Sequence, residues 1–67
     1  MITLTVNGKE KIIGTTMDIP SFLKTNGIDS KYVAVAYNGI VLERAEFPTV
    51  MLKDGDILEI VRPVGGG

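Results

Sequence analysis

DIPSFLKTNG, residues 18–27, has a helical period and a marked boundary at each end. Asp18 stands where an N-cap belongs, because its carboxylate can accept from the first backbone N–H groups, which have no partner inside a helix. Pro20 falls in the first turn, where its missing N–H costs nothing. Ile19, Phe22 and Leu23 recur at helical spacing and make one apolar stripe. Asn26-Gly27 ends the run, with Gly27 suited to the left-handed position just past a helix. The spacing predicts a helix of about nine residues, too short to stand alone in water, so it must pack on a sheet.

The flanking segments supply that sheet. On the N-terminal side, Ile2, Leu4 and Val6 alternate with Thr3 and Thr5, the pattern of a half-buried strand. Asn7-Gly8 is a strong signal for a two-residue hairpin turn, which needs positive φ at both positions. Glu10 to Ile13 is the returning strand, and Gly14 to Thr16 a loop. On the C-terminal side, Tyr32 to Tyr37 reads as a strand with Val33, Val35 and Tyr37 on one face and Ala34 and Ala36 on the other. Asn38-Gly39 repeats the hairpin signal before a short strand, Ile40 to Leu42. Residues 43–52 have no clean period; they read as loop with one turn of helix, Phe47, Val50 and Leu52 plugging the core edge. Lys53 to Asp56 is a turn with Gly55 at positive φ. Ile57 to Val61 is the last strand, and Pro63, which cannot donate to a ladder, ends the sheet near Arg62.

One helix crossing a mixed sheet of four to five strands is a two-layer α+β domain. Its expected core is the helix stripe with Ile2, Leu4, Val6, Val33, Val35, Leu58 and Ile60. The expected division is a domain over residues 1–62 and a flexible C-terminal tail over 63–67.

Composition narrows the function classes. The 67 residues hold neither Cys nor His, which removes the thiol nucleophile, the thiolate ligand, the commonest general base and the commonest transition-metal ligand. Net charge is −1 with scattered cations, so the basic stripe of a nucleic-acid binder is missing. No apolar run reaches membrane-spanning length, and the N-terminus lacks the basic-then-apolar pattern of a signal peptide. The expectation is a cytoplasmic module without a metal site, not an enzyme in its own right.

The end of the chain, RPVGGG (residues 62–67), is the unusual feature. A run of glycines cannot contribute side chains to a core, and glycine loses the most entropy on ordering. Gly65, Gly66 and Gly67 are either a frayed end without a role or a strip of bare backbone fitted to a channel too narrow for side chains. In the second case the tip carries a free carboxylate, a poor electrophile that must be activated, for instance as a mixed anhydride with AMP in a confined, water-poor pocket.

Two longer stretches carry a resemblance over nearly the whole chain. VAVAYNGIVLERAEF (33–47) is similar to the strand, Asn-Gly turn, strand and following Arg of the ubiquitin-like sulfur carriers, and LKDGDILEIVRPVGGG (52–67) to their Gly-Asp turn, last strand and tail. Within that group the chain most resembles the ThiS family of thiamine biosynthesis. It departs at Phe47, where relatives often carry Trp, at Asn26, more often apolar, and at Gly65, an added third glycine. The resemblance implies a β-grasp fold and a carrier that binds no cofactor of its own. It further implies that a ThiF-like enzyme, using ATP and magnesium, adenylates the Gly67 carboxylate, that a persulfide protein supplies sulfur to make a thiocarboxylate, and that a ThiG-like thiazole synthase receives it. A carrier for molybdopterin, cysteine or tRNA thiolation would share fold and tail. A ubiquitin-like modifier, or a binding module without tail chemistry, would share the fold.

Strand alternation puts Ile57, Glu59 and Val61 opposite the core, with Ala34 and Ala36 sharing that face. This small-residue, apolar patch leading to the tail is the expected partner surface, with Ile57 and Val61 as contacts and Ala34 and Ala36 as floor. Arg62 at the tail root is expected to meet an acidic partner surface. Asp54, Asp56 and Glu59 fall short of a calcium loop and read as a turn. Glu43 and Glu46 have no pocket around them, and Tyr32 and Tyr37 read as strand packing.

Overall fold

The computed structural model describes residues 1–62. The expected flexible tail, 63–67, with Gly65, Gly66 and Gly67, lies outside the described residues. Five strands and one α-helix form in the order β1 (Ile2–Val6), β2 (Lys9–Ile13), α1 (Ile19–Thr25), β3 (Ala34–Tyr37), β4 (Ile40–Leu42) and β5 (Ile57–Val61). Two short 3₁₀ segments, Ser30–Tyr32 and Arg44–Thr49, lie in the connections.

Both Asn-Gly pairs turn the chain as their chemistry requires. Asn7 and Gly8 have φ of 51° and 81°, and Asn38 and Gly39 of 50° and 87°. The two-residue turns set the registers Val6 opposite Lys9 and Tyr37 opposite Ile40. The sheet order is β2-β1-β5-β3-β4, with β1 and β5 parallel at the centre and every other pair antiparallel. This is the mixed sheet the resemblance implies, at five strands.

The helix is seven residues, shorter than its expected length. The Asp18 carboxylate accepts from the Ser21 N–H at 2.8 Å; hydrogen bonding by the Ser21 side chain, and then by that N–H, holds its pKa below the ordinary value. At the other end the Gly27 N–H donates to the Lys24 carbonyl and the Ile28 N–H to that of Leu23, a Schellman closure with Gly27 at φ 73°. Ile19, Phe22 and Leu23 are buried and press onto Leu4, Val35 and Leu58, all fully buried. Ile2, Val6 and Ile60, expected in the core, are only half-buried and pack against its margin.

Two expectations about the loops need correction. The strand expected from Tyr32 begins at Ala34; Tyr32 closes a 3₁₀ turn capped by the Asp29 carboxylate, which accepts from the Lys31 N–H at 2.9 Å. Tyr32 is therefore not strand packing but 64% exposed. The stretch 43–52 is also more regular than one helical turn. Arg44–Thr49 is a continuous 3₁₀ run, its start held by the Glu46 carboxylate accepting from the Glu43 N–H at 2.8 Å. Phe47 and Leu52 plug the core as expected.

Among the described residues, Asp56 is the buried charged one. Its carboxylate accepts from the Tyr37 hydroxyl at 2.7 Å, the Lys53 N–H at 2.7 Å and the Asn38 amide at 3.2 Å. Burial raises the Asp56 pKa, but these donors and the Lys53 charge outweigh it and leave it below the ordinary value. The same hydrogen bond, with burial and the Asp56 charge, pushes Tyr37 up to about 12.

The signs fix a pH window. The Asp56 contribution is full above the unfolded value of about 4 and is lost as pH falls through the lower folded value. The Tyr37 contribution is full below its unfolded value and is lost as pH rises from there through about 12. Denaturant unfolding across pH should therefore show a stability plateau falling at both ends. Asp56→Asn should cost about 1–3 kcal/mol at pH 7, because its amide cannot accept from all three donors, and should flatten the acid limb. An unchanged acid limb in that variant would remove Asp56 from this role.

Candidate functional site

The helix covers one face of the sheet and leaves the other open. On the open face the registers bring Val61 beside Ala34, Glu59 beside Ala36 and Ala36 beside Val41. Ala34, Ala36, Val41, Glu59 and Val61, with Asn7 at the margin, line a shallow depression of about 380 Å³. Val41 and Val61 are 73% and 61% exposed, so the apolar walls stand above an alanine floor.

The expected docking residues are thus mostly brought together. Ala34, Ala36 and Val61 share the depression. Ile57 is half exposed on the same face but sits toward β1, opposite Thr5, outside the hollow. Sequence reasoning missed Val41 and Asn7. Val41 was within reach, since a two-residue turn at Asn38-Gly39 forces Ala36 opposite Val41.

Arg62 faces a second hollow of about 690 Å³ with Asp29, Lys31, Tyr32, Val33 and Arg44. Arg44 is fixed there by donating to the Lys31 carbonyl at 2.8 Å and the Ser30 carbonyl at 3.3 Å. Three cations against one carboxylate make this hollow, at the root of the tail, electropositive.

The Asp54 and Asp56 carboxylates serve the fold. Asp54 accepts from the Thr3 N–H at 2.7 Å, tying the β5 turn to β1, and Asp56 is occupied by its three donors. Among the described residues no three metal-ligating side chains gather into one group, and no helix is long and apolar enough to cross a membrane.

The β5 strand, which leads into the tail, is thus central, paired on both sides and flanked by an open apolar hollow and a basic one. The comparisons point the same way. The chain is 38% identical over 64 residues to a thiazole synthase of Paramagnetospirillum magneticum, covering 96% of this chain but only 20% of that relative's length. It is 36% identical to the crystal structure of thiamine biosynthesis protein ThiS from Geobacter metallireducens, with a TM-score of 0.87 over 98% of this chain and 100% of that one. The solution structure of a thiamine biosynthesis protein from the same organism matches at 36% identity and a TM-score of 0.82, covering 98% and 88%. The sequence model of the ThiS family matches residues 3–67, and with fold and length in agreement, the chain belongs to the ThiS family.

Proposed function

We propose that the protein is the sulfur carrier of thiamine thiazole synthesis, with Gly67 as the carrying residue. The observation that carries this reading is the family match through residue 67, which takes in the glycine tail. In the proposed cycle the Gly67 carboxylate attacks the α-phosphate of ATP on a ThiF-like enzyme, releasing pyrophosphate and leaving an acyl adenylate. ATP and magnesium belong to that enzyme. The terminal sulfur of a persulfide protein displaces AMP. A thiol then cleaves the S–S bond, giving the Gly67 thiocarboxylate and a disulfide. Thiazole synthase takes the sulfur.

The chain's own part is presentation. Ala34, Ala36, Val41 and Val61 offer the apolar hollow for docking, and an acidic partner surface meets Arg62, Lys31 and Arg44. Gly65 and Gly66 give the tail no side chains, so Gly67 can enter a narrow active site. The likeness to a stretch of a protein named thiazole synthase favours that acceptor over molybdopterin, cysteine or tRNA thiolation. Expressed in cells whose own thiazole sulfur carrier is deleted, the protein should restore growth without added thiazole. Growth that still requires thiazole, with the partner enzymes supplied from the same source, would favour another acceptor.

A further inference from the structure

The two Asn-Gly turns do more than reverse the chain. β1 ends at Val6, opposite Leu58, where the positive φ of Asn7 bends the backbone away into the hairpin. The Asn7 N–H still donates to the Leu58 carbonyl at 2.9 Å. Its side chain then takes the place of the next strand residue. The Asn7 Oδ1 accepts from the Ile60 N–H at 2.7 Å, and the Asn7 amide donates to the Ile60 carbonyl at 3.1 Å. Asn38 does the corresponding work at the other end of β5, where its Oδ1 accepts from the Ile57 N–H at 2.8 Å. The strand that leads into the tail is therefore gripped at both ends by a turn asparagine.

The residue choice has a physical reason. Asn, Asp and Gly all suit the first position of this turn. Of these, only the carboxamide both accepts from an N–H and donates to a carbonyl; a carboxylate only accepts, and glycine does neither.

We propose that Asn7 is a positioning residue for the end of β5: by holding both backbone groups of Ile60 it fixes the direction in which the chain runs on through Val61 and Arg62, so that a docked chain is presented to the activating enzyme already aimed. The proposal rests on the sulfur-carrier reading for its functional half. Its structural half stands on the hydrogen bonds alone.

Asn7→Gly keeps the positive φ and removes both bonds; Asn7→Asp keeps the acceptor and removes the donor. Amide exchange by NMR should show Ile60 exchanging about tenfold faster relative to Leu58 in Asn7→Gly, and near wild type in Asn7→Asp, whose oxygen still accepts from that N–H. The ratio to Leu58 separates local release from global destabilisation. In ATP–pyrophosphate exchange with the ThiF-like enzyme, Asn7→Gly should raise KM for the carrier about fivefold, the cost of ordering a freed segment on binding, with kcat unchanged. An unchanged Ile60 to Leu58 ratio overturns the anchor. A changed ratio with unchanged KM overturns the aiming role. A wild-type chain that is never activated overturns the sulfur-carrier reading and the aiming role with it, while the exchange ratio still decides the anchor.

Discussion

Deleting Gly67 should leave the fold and its melting temperature unchanged and should reduce sulfur transfer at least about a hundredfold. The basis is geometric. Removing one residue draws the terminal carboxylate back by about 3.5 Å, the span of one extended residue. Misplacing a reacting atom by about 1 Å already costs roughly a hundredfold in a preorganised site. The shortened chain still ends in glycine with a free carboxylate, so the loss isolates reach from chemistry. Gly67 has no side chain to give to a core, and among the described residues Leu4, Phe22, Leu23, Val35 and Leu58 are all fully buried without it, so stability should not change. The measurement pairs thermal unfolding with thiazole formation in a reconstituted system. Thiazole formed at the wild-type rate by the shortened chain would place the working group elsewhere, as a binding module without tail chemistry requires.

The second large effect is on docking. Ala36 is the floor of the open hollow, between Val41 on β4 and Glu59 on β5. Ala36→Arg raises a long cationic side chain from that floor. The fold should tolerate it, because the side chain enters open space and stands directly across from Glu59, where opposite charges are a favourable cross-strand pair. A partner that seats on the floor cannot tolerate it. The expected result is a rise in KM for activation of about thirtyfold or more, the size of a substitution at the centre of an interface, with kcat little changed. Ile12→Arg is the control. Ile12 is 58% exposed on edge strand β2, away from the hollow, and its replacement should leave activation unaltered. Equal behaviour of the two variants would move the interface off β3 and β5.

What the sequence disclosed, and what it did not, divides by the range of the interaction. Asn7-Gly8 and Asn38-Gly39 were legible as turns because positive φ is a local demand that few residues meet. The helix was legible because its caps and stripe lie within ten residues, and the resemblance extended the reading to the β-grasp fold. Asp56 reads as a turn residue and is one, its N–H donating to the Lys53 carbonyl, but its burial depends on Tyr37, 19 positions away in sequence, closing over it. The grip of Asn7 on Ile60 spans 53 positions and appears only once β1 and β5 lie parallel. The alternation through Tyr37 extends a strand back to Tyr32, but the Asp29 cap folds Tyr32 into a 3₁₀ turn and the strand begins at Ala34. On the open face, alternation placed Ala34, Ala36 and Val61 correctly, but the hollow they share with Val41 is a product of register.

The central claim is that Gly67 carries sulfur, and the absence of cysteine makes it directly measurable. The protein is incubated with ATP, magnesium, the ThiF-like enzyme, a persulfide donor and a small thiol to cleave the acyl disulfide, then treated with an excess of thiol-alkylating reagent and weighed intact. With no native thiol in its 67 residues, the unreacted chain takes no label. The account predicts one adduct per chain, dependent on ATP and mapping to Gly67. An activating enzyme competent on another carrier that leaves this chain unlabelled would contradict it.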